Sequence, residues 1–318
     1  MSLIIDDLCK VENPTITVLT PSLNHGRFLN HMIETVLAQS FRRFEHIVID
    51  GGSTDSTINI LKGYPHIRWV SGRENSMVEA YRKGLAMARG QYIIQCCVSD
   101  GFLDRHWFRK CVEVLDKDKE VSLVWGFAQS MSEEGDLLNV SFQEFFIDPP
   151  PQKQDFLGFW LATGFTFPEG NYCVRTNVMK EHFPDTRSEA YFQDHAALGF
   201  IYRFMTQGYC PFLIPNVANF GREHWDQRSR RLRDIEGPAV AMYYRRVKDY
   251  KSKLLKGELT HYFRAGDSEV IGKMRPQDLW RLRRQIWRHT LLRSRLLRRD
   301  PYTLALRIGQ RFLERFGY

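Results

Sequence analysis

The sequence carries no GxGxxG after its first apolar strand and no GxxxxGKS/T anywhere. The first absence disfavours a dinucleotide-binding fold of the usual kind, and the second excludes a P-loop. No uninterrupted apolar run reaches the roughly 20 residues that a membrane-spanning helix requires. The opening residues, MSLIIDDLCK, lack the basic start and apolar core of a secretory signal, so a cytoplasmic location is expected. No CxxC pair occurs among the six scattered cysteines, Cys9, Cys96, Cys97, Cys111, Cys173 and Cys210. Reduced, buried thiols are the reading that fits such a chain. Internal repeats and low-complexity segments are also missing.

What is present is 318 residues, 43% apolar and 26% charged, enough for one large domain or a domain with an appendage. The net charge of +8 is unevenly placed: residues 275–318 hold 12 arginines against three acids, Asp278, Asp300 and Glu314. That segment alone exceeds the excess of the whole chain, so the basic character belongs to the tail.

Patterning predicts alternating strands and helices. TITVLTPS, FEHIVID, IRWVSG, QYIIQCCVSDG and VSLVWGFAQSMS read as strands. RFLNHMIETVLAQS, DSTINILKGY, MVEAYRKGLAMARG and HWFRKCVEVLDKD read as the helices between them. Such alternation implies an α/β fold with a mostly parallel, mixed sheet flanked by helices. Ligands of these sheets bind beyond the carboxyl ends of the strands. SLN, DGGS, SGRE and VSDG each follow a strand, so one edge gathers four polar loops. Residues 148–170 are rich in Pro, Gly and aromatics and are expected to form a substrate-facing loop region rather than a core element. NYCVRTNVMKEHF and YFQDHAALGFIYRFMTQG read as strand, turn and helix, and YCPFLIPNVANFGREHW as a closing pair of strands.

Two acids stand at the ligand edge. Asp50, followed by Gly51 and Gly52, is a strand-end acceptor where the backbone lets a flat ligand approach closely; Ser53, Thr54 and Ser56 add polar groups. The same residues also suit a turn that caps the next helix. Asp100 suits one carboxylate of a Mg2+ or Mn2+ site completed by phosphates, or a turn-forming Asp. Together, without a P-loop, the pair fits a nucleotide diphosphate bridged by a metal.

The order of motifs resembles glycosyltransferase family 2, whose members have the GT-A fold. TPSLNHGRFLNHMIETVLAQSFRRFEHIVIDGGSTDST is similar to the family's N-terminal signature, and SGRENSMVEAYRKGLAMARGQYI to its SEPDxGxYDAxNKGxxxAxGxxI segment. VSDG falls at its DxD metal motif, and FQDHAALGFIYRF at its ED-plus-helix segment. The resemblance spans Thr15 to Ser229 and implies an inverting transferase that moves a sugar from a nucleotide-diphospho-sugar, UDP-sugars favoured, to a hydroxyl acceptor with Mn2+ or Mg2+. It implies a nucleotide-sugar site of Thr20, Pro21, Ser22, Asp50, Gly51, Ser53, Glu79, Ser99 and Asp100. It implies Asp100 and His224 as metal ligands, and Asp194 as the base that deprotonates the acceptor. Arg222 and Arg228 are expected against diphosphate. Departures are Gly51 for a second Asp, Val98 for the first acid of DxD, Glu74 and Glu79 for aspartates, Arg82 for an Asn and Gln193 for the Glu before the base. The implied setting is bacterial surface polysaccharide or lipid-linked glycan synthesis, with a saccharide or lipid-linked saccharide acceptor. A nucleotidyltransferase on a similar sheet and a non-catalytic glycan- or partner-binding relative are the competing readings.

The expected division is 1–234 for the GT-A domain and 235–318 for a helical, Arg-rich C-terminal extension. In that extension Leu279, Leu282, Ile286 and Trp287 share part of one helical face, while Arg281, Arg284, Arg288 and Arg295 fall elsewhere. Such a helix packs on the domain or a partner subunit, or lies on an anionic membrane surface at the inner face of the cell membrane. Nucleic acid is disfavoured because no recognition motif accompanies the charge.

Overall fold

The computed structural model describes residues 11–73, 76–141, 151, 153, 155–184, 196–227, 233–259 and 276–299. Strands β1 (Ile16–Ser22), β2 (Phe44–Asp50), β3 (Ile67–Ser71) and β4 (Tyr92–Gln95) are parallel neighbours in the order β3-β2-β1-β4. The sheet continues through β8 (Cys173–Arg175), β6 (Val121–Met131), β9 (Cys210–Arg222) and β5 (Gly101–Phe102), with β7 (Leu137–Ser141) on β6. β8 runs antiparallel to both β4 and β6, and β9 runs parallel to β6. Two reversals restore direction, so β9 also delivers its C-terminal end, Arg222, to the edge where β1 and β2 end at Ser22 and Asp50.

The strands are buried on both faces, and their side chains alternate between two cores. Val18, Val48, Ile94 and Val124 pack with α1 (Gly26–Leu37) and α4 (Trp107–Lys117). Leu19, Ile47, Ile49, Ile93 and Trp125 pack on the other side with α3 (Met77–Met87), α5 (Asp155–Thr163), α6 (Thr176–His182) and α7 (Ala196–Thr206). The short α2 (Thr57–Lys62) joins β2 to β3. In α1 the residues Phe28, Leu29, Met32, Ile33 and Val36 are buried, the three-and-four spacing that marks an amphipathic helix.

Three expectations are corrected. Residues 155–163, read as part of a loop region, form α5 at the centre of a core, with Phe156, Leu157, Phe159, Trp160 and Leu161 buried. Its sequence, DFLGFWLAT, has almost no polar face, because one side meets Trp125 (ring centroids 6.1 Å from Phe156) and the other is covered by the C-terminal helices. The expected strand pair at 210–222 is one 13-residue strand, β9. Pro215-Asn216 resembles a turn, but it sits where the register slips between Trp125↔Leu213 and Phe127↔Val217, a bulge that tolerates proline. The reach of the fourth strand was also overestimated: β4 ends at Gln95, so Cys96 and Cys97 lie beyond it.

The C-terminal helices are α8 (Arg233–Lys256) and α9 (Pro276–Arg299). Tyr243 of α8 accepts a 2.8 Å hydrogen bond from Trp160 Nε1. α9 lies along α5: Leu282 is buried, Gln285 sits over Gly158, His289 meets Phe159 edge-on at 5.3 Å, and Arg281 and Gln285 both donate to Asp155. Trp287, expected on the same face as Leu282 and Ile286, is instead 66% exposed. The buried arc of α9 follows Leu282, Gln285, Ile286 and His289, and Trp287 falls off its edge. No helix among the described residues is long and apolar enough to cross a membrane.

Candidate functional site

Ser22, Asp50 and Ser71 are register partners at the ends of β1, β2 and β3. Asp50 is fully buried, and its carboxylate accepts from Gly52 N (3.0 Å), Ser53 N (2.9 Å), Ser71 Oγ (2.7 Å) and Ser53 Oγ. Gly52 takes φ +88°, a conformation that disfavours any side chain there. Ser53 Oγ also accepts from Asn24 N, and Asn24 Oδ1 accepts from Thr54 N, each at 2.8 Å. Asp55 reaches back to accept from Gly26 N at 2.8 Å, supplying an acceptor at the start of α1. Burial alone would raise the Asp55 pKa, but hydrogen bonds from Thr57 and Gly26 outweigh it and hold the group below its usual range. The loops after β1 and β2 are therefore sewn into one surface. Gly51 belongs to that stitch, donating its N–H to Ser22 O at 2.8 Å.

Thr20 is buried behind this surface, with its Oγ1 3.0 Å from His46 Nε2. Burial, with His66 nearby, depresses the His46 pKa to about 3, so the imidazole is neutral. Pro21 is partly exposed, and Ser22 Oγ is buried with no hydrogen-bond partner among the described residues.

Asp100 closes the turn after β4. It accepts from Arg222 N and Ser99 Oγ, each at 3.3 Å. Burial lifts its pKa to about 7; the hydrogen bonds from Arg222 and Ser99 oppose the shift, and the negative charge of Glu169 adds to it. Gly170 (φ +92°) brings the backbone close: a Cβ there would lie 3.4 Å from Asp100 Oδ2 and 3.1 Å from Asn219 Nδ2. Asn219 Nδ2 is itself buried without a partner among the described residues. A buried carboxylate, a second acid and two polar groups without partners among the described residues, Ser22 Oγ and Asn219 Nδ2, thus gather at the ligand edge. A hard divalent cation and a phosphate-bearing ligand fit that donor set.

His224 is buried two residues past β9, with Nδ1 2.6 Å from Asp226 Oδ1 and its ring 5.0 Å from Phe28 and 5.4 Å from His25. Arg222, expected against diphosphate, is turned inward. Its guanidinium donates to Ser132 O and Glu133 O, contacts His31 Nδ1 at 2.6 Å and stacks on Phe28. It clamps the β6–β7 turn through Nη1, while its Nε is buried with no hydrogen-bond partner among the described residues. Glu79 lies in the first turn of α3, where its N–H donates to the cap Ser76 Oγ at 3.2 Å. Asp194, Gln193, Glu74 and Arg228 lie outside the described residues. Sequence reading gave no role to Glu169, Asn219, His25 or Asp226. His25 lies inside the quoted N-terminal motif and Asp226 one residue past the quoted closing segment, whereas Glu169 and Asn219 reach the site through the curl of the sheet.

A mainly parallel sheet with acids and polar loops gathered at its carboxyl edge is the arrangement of GT-A glycosyltransferases. Residues 17–169 match the family model described as Glycosyl transferase family 2, and over that stretch the chain is similar to members of that family. A 117-residue stretch is 35% identical to an uncharacterized glycosyltransferase of Mycobacterium tuberculosis, covering 36% of this chain and 45% of the relative. A 130-residue stretch is 27% identical to chondroitin synthase of Escherichia coli, covering 40% of this chain and 19% of that one. The matches thus span less than half the length of these curated relatives. A mannosyltransferase from Pyrobaculum calidifontis, solved with GDP-Man and Mn2+, superposes with a TM-score of 0.51 at 15% identity, over 95% of this chain and 81% of the other. That likeness concerns the fold.

Proposed function

We propose that this chain is a metal-dependent, inverting glycosyltransferase that moves a sugar from a nucleotide-diphospho-sugar to an acceptor hydroxyl. The observation that carries the reading is Asp100: a carboxylate held by Arg222 N, with the Gly170 backbone and the unpartnered Asn219 Nδ2 close to it, at the edge where β1, β2 and β9 end. The loops at 20–22 and 50–53 hold the nucleotide, with Ser22 Oγ free to bond it. Asp100 and His224 hold the cation, whose chemistry when bound is to neutralise charge on the departing diphosphate. Asp194 takes the proton of the acceptor hydroxyl as that oxygen bonds the anomeric carbon and the bond to the diphosphate breaks, with inversion. Similarity to chondroitin synthase supports polysaccharide synthesis as the setting, and the Mn2+ in the archaeal neighbour supports the metal.

Peripheral attachment to a membrane is part of this reading. Trp280 and Trp287 are 64% and 66% exposed on the outward side of α9, with Arg284 and Arg288 beside them and the Arg284 guanidinium 5.8 Å from the Trp280 ring centre. Aromatic rings with cations suit an anionic lipid surface and a lipid-linked acceptor.

The test is release of nucleoside diphosphate from UDP-, GDP- and dTDP-sugars with Mn2+, with and without saccharide acceptors. Asp194→Asn is expected to keep donor binding and lose transfer. Near wild-type turnover in that variant overturns the assignment of the base; no diphosphate release with any donor overturns the enzyme reading.

A further inference from the structure

The resemblance pairs His224 with Asp100, but the geometry gives His224 two nearer companions. We propose that His25, His224 and Asp226 form a divalent-cation site in which His25 and Asp226, residues with no previous assignment, act as ligands with His224. One ligand atom from each of the three falls within 4.8 Å of the other two. Donors bound at roughly 2.0–2.2 Å sit up to about 4.4 Å apart across an ion, so side-chain rotation of a few tenths of an ångström closes the set.

The three residues come from independent elements and are held from behind. His25 is the residue that leads into α1, fixed by the stitched loops after β1 and β2. His224 follows β9 and is wedged edge-on against His25 and tilted on Phe28. Asp226 lies in the turn after it, with Oδ1 on His224 Nδ1 and Oδ2 3.9 Å from His25 Nε2. A carboxylate between two imidazoles, all held by packing, is a preorganised donor set.

A cationic side chain lies against the set. Arg27 Nη2 donates to Asp226 Oδ1, while its Nη1 lies 2.9 Å from Glu133 Oε1. Arg27 is 41% exposed along its side chain, so it can stay on Glu133 and release Asp226. Two imidazole nitrogens and one oxygen are borderline donors, which favour Mn2+, Co2+ or Zn2+ over Mg2+. The location within a donor site rests on the function proposed above; the binding itself does not.

The experiment uses the full chain without any sugar nucleotide. Co2+ is titrated by visible absorption and by quenching of Trp225, which is 70% exposed between two of the ligands, and Mn2+ by calorimetry. One ion per chain is expected, with Mg2+ at least tenfold weaker. His25→Gln and Asp226→Asn, each with an unfolding midpoint close to wild type, are expected to weaken Co2+ at least tenfold. Wild-type affinity in either variant, or no stoichiometric ion in the unaltered chain, overturns the site. Binding by the trio in a chain that releases no nucleoside diphosphate sinks the proposed function and leaves this site standing.

Discussion

His66 shows how a single side chain ties folding to pH. It is buried, and neither ring nitrogen has a hydrogen-bond partner among the described residues. Burial lowers its pKa to about 4 and that of His46 to about 3, both from 6.5. The unfolded chain therefore binds more protons than the folded one below pH 6.5. Their contribution is fully present above pH 6.5 and is lost as pH falls toward the folded values. At pH 5 each neutral imidazole costs roughly 2 kcal/mol of stability relative to pH 7. Asp100, lifted to about 7, shifts stability the other way over this range, so the check is a difference: in urea unfolding at the two pH values His66→Leu is expected to shrink the loss at pH 5 by roughly 2 kcal/mol relative to wild type. Asp50 was legible as a strand-end acceptor, and the competing turn reading describes what its carboxylate does in the structure. At Arg222 the sequence shows a cation but not the carbonyls of Ser132 and Glu133 that its guanidinium meets.

At the scale of elements, amphipathic segments were readable and uniformly apolar ones were not. The helices α1, α3 and α4 each show one polar and one apolar face, so spacing marks them. α5 is buried on the sheet side by Trp125 and on the other by Tyr243 and Leu282, so no polar face survives to give a period. Trp160→Ala is expected to cost about 3–5 kcal/mol in chemical denaturation, from lost burial and the hydrogen bond to Tyr243. Gly158 has a different role: a Cβ there would lie 2.5 Å from Gln285 Cβ. Gly158→Val is expected to lift α9 off α5, seen as faster tryptic cleavage within 276–299. The outward side of α9 predicts co-sedimentation with anionic vesicles, weakened at high salt. Replacing Trp280 and Trp287 together by alanine is expected to reduce it several-fold; equal pelleting with neutral vesicles counts against a lipid role.

For the whole molecule, the parallel half of the sheet follows from strand–helix alternation and the curled half does not. β5 and β8 are two and three residues long and pair with strands distant in sequence, such as Gly101 with Phe220. Local patterning carries no trace of such pairings. They are also what carries Asp100, Asn219 and His224 to the edge already formed by Asp50, so the second half of the site was less legible than the first. A ligand that bridges both halves binds only the folded chain. A nucleoside diphosphate with Mn2+ at a hundred times its dissociation constant is expected to add about 2.7 kcal/mol of stability, read as a rise in unfolding midpoint. No rise with any of UDP, GDP or dTDP would separate the two halves.

The stitching of the loops after β1 and β2 bears on how fast a donor is captured. Asp50, Asn24 and Asp55 freeze these segments when the chain folds, so their conformational freedom is already gone at encounter. Association on that side is expected to require no ordering step, with a rate set by diffusion and orientation rather than by the arrival of a rare loop conformer.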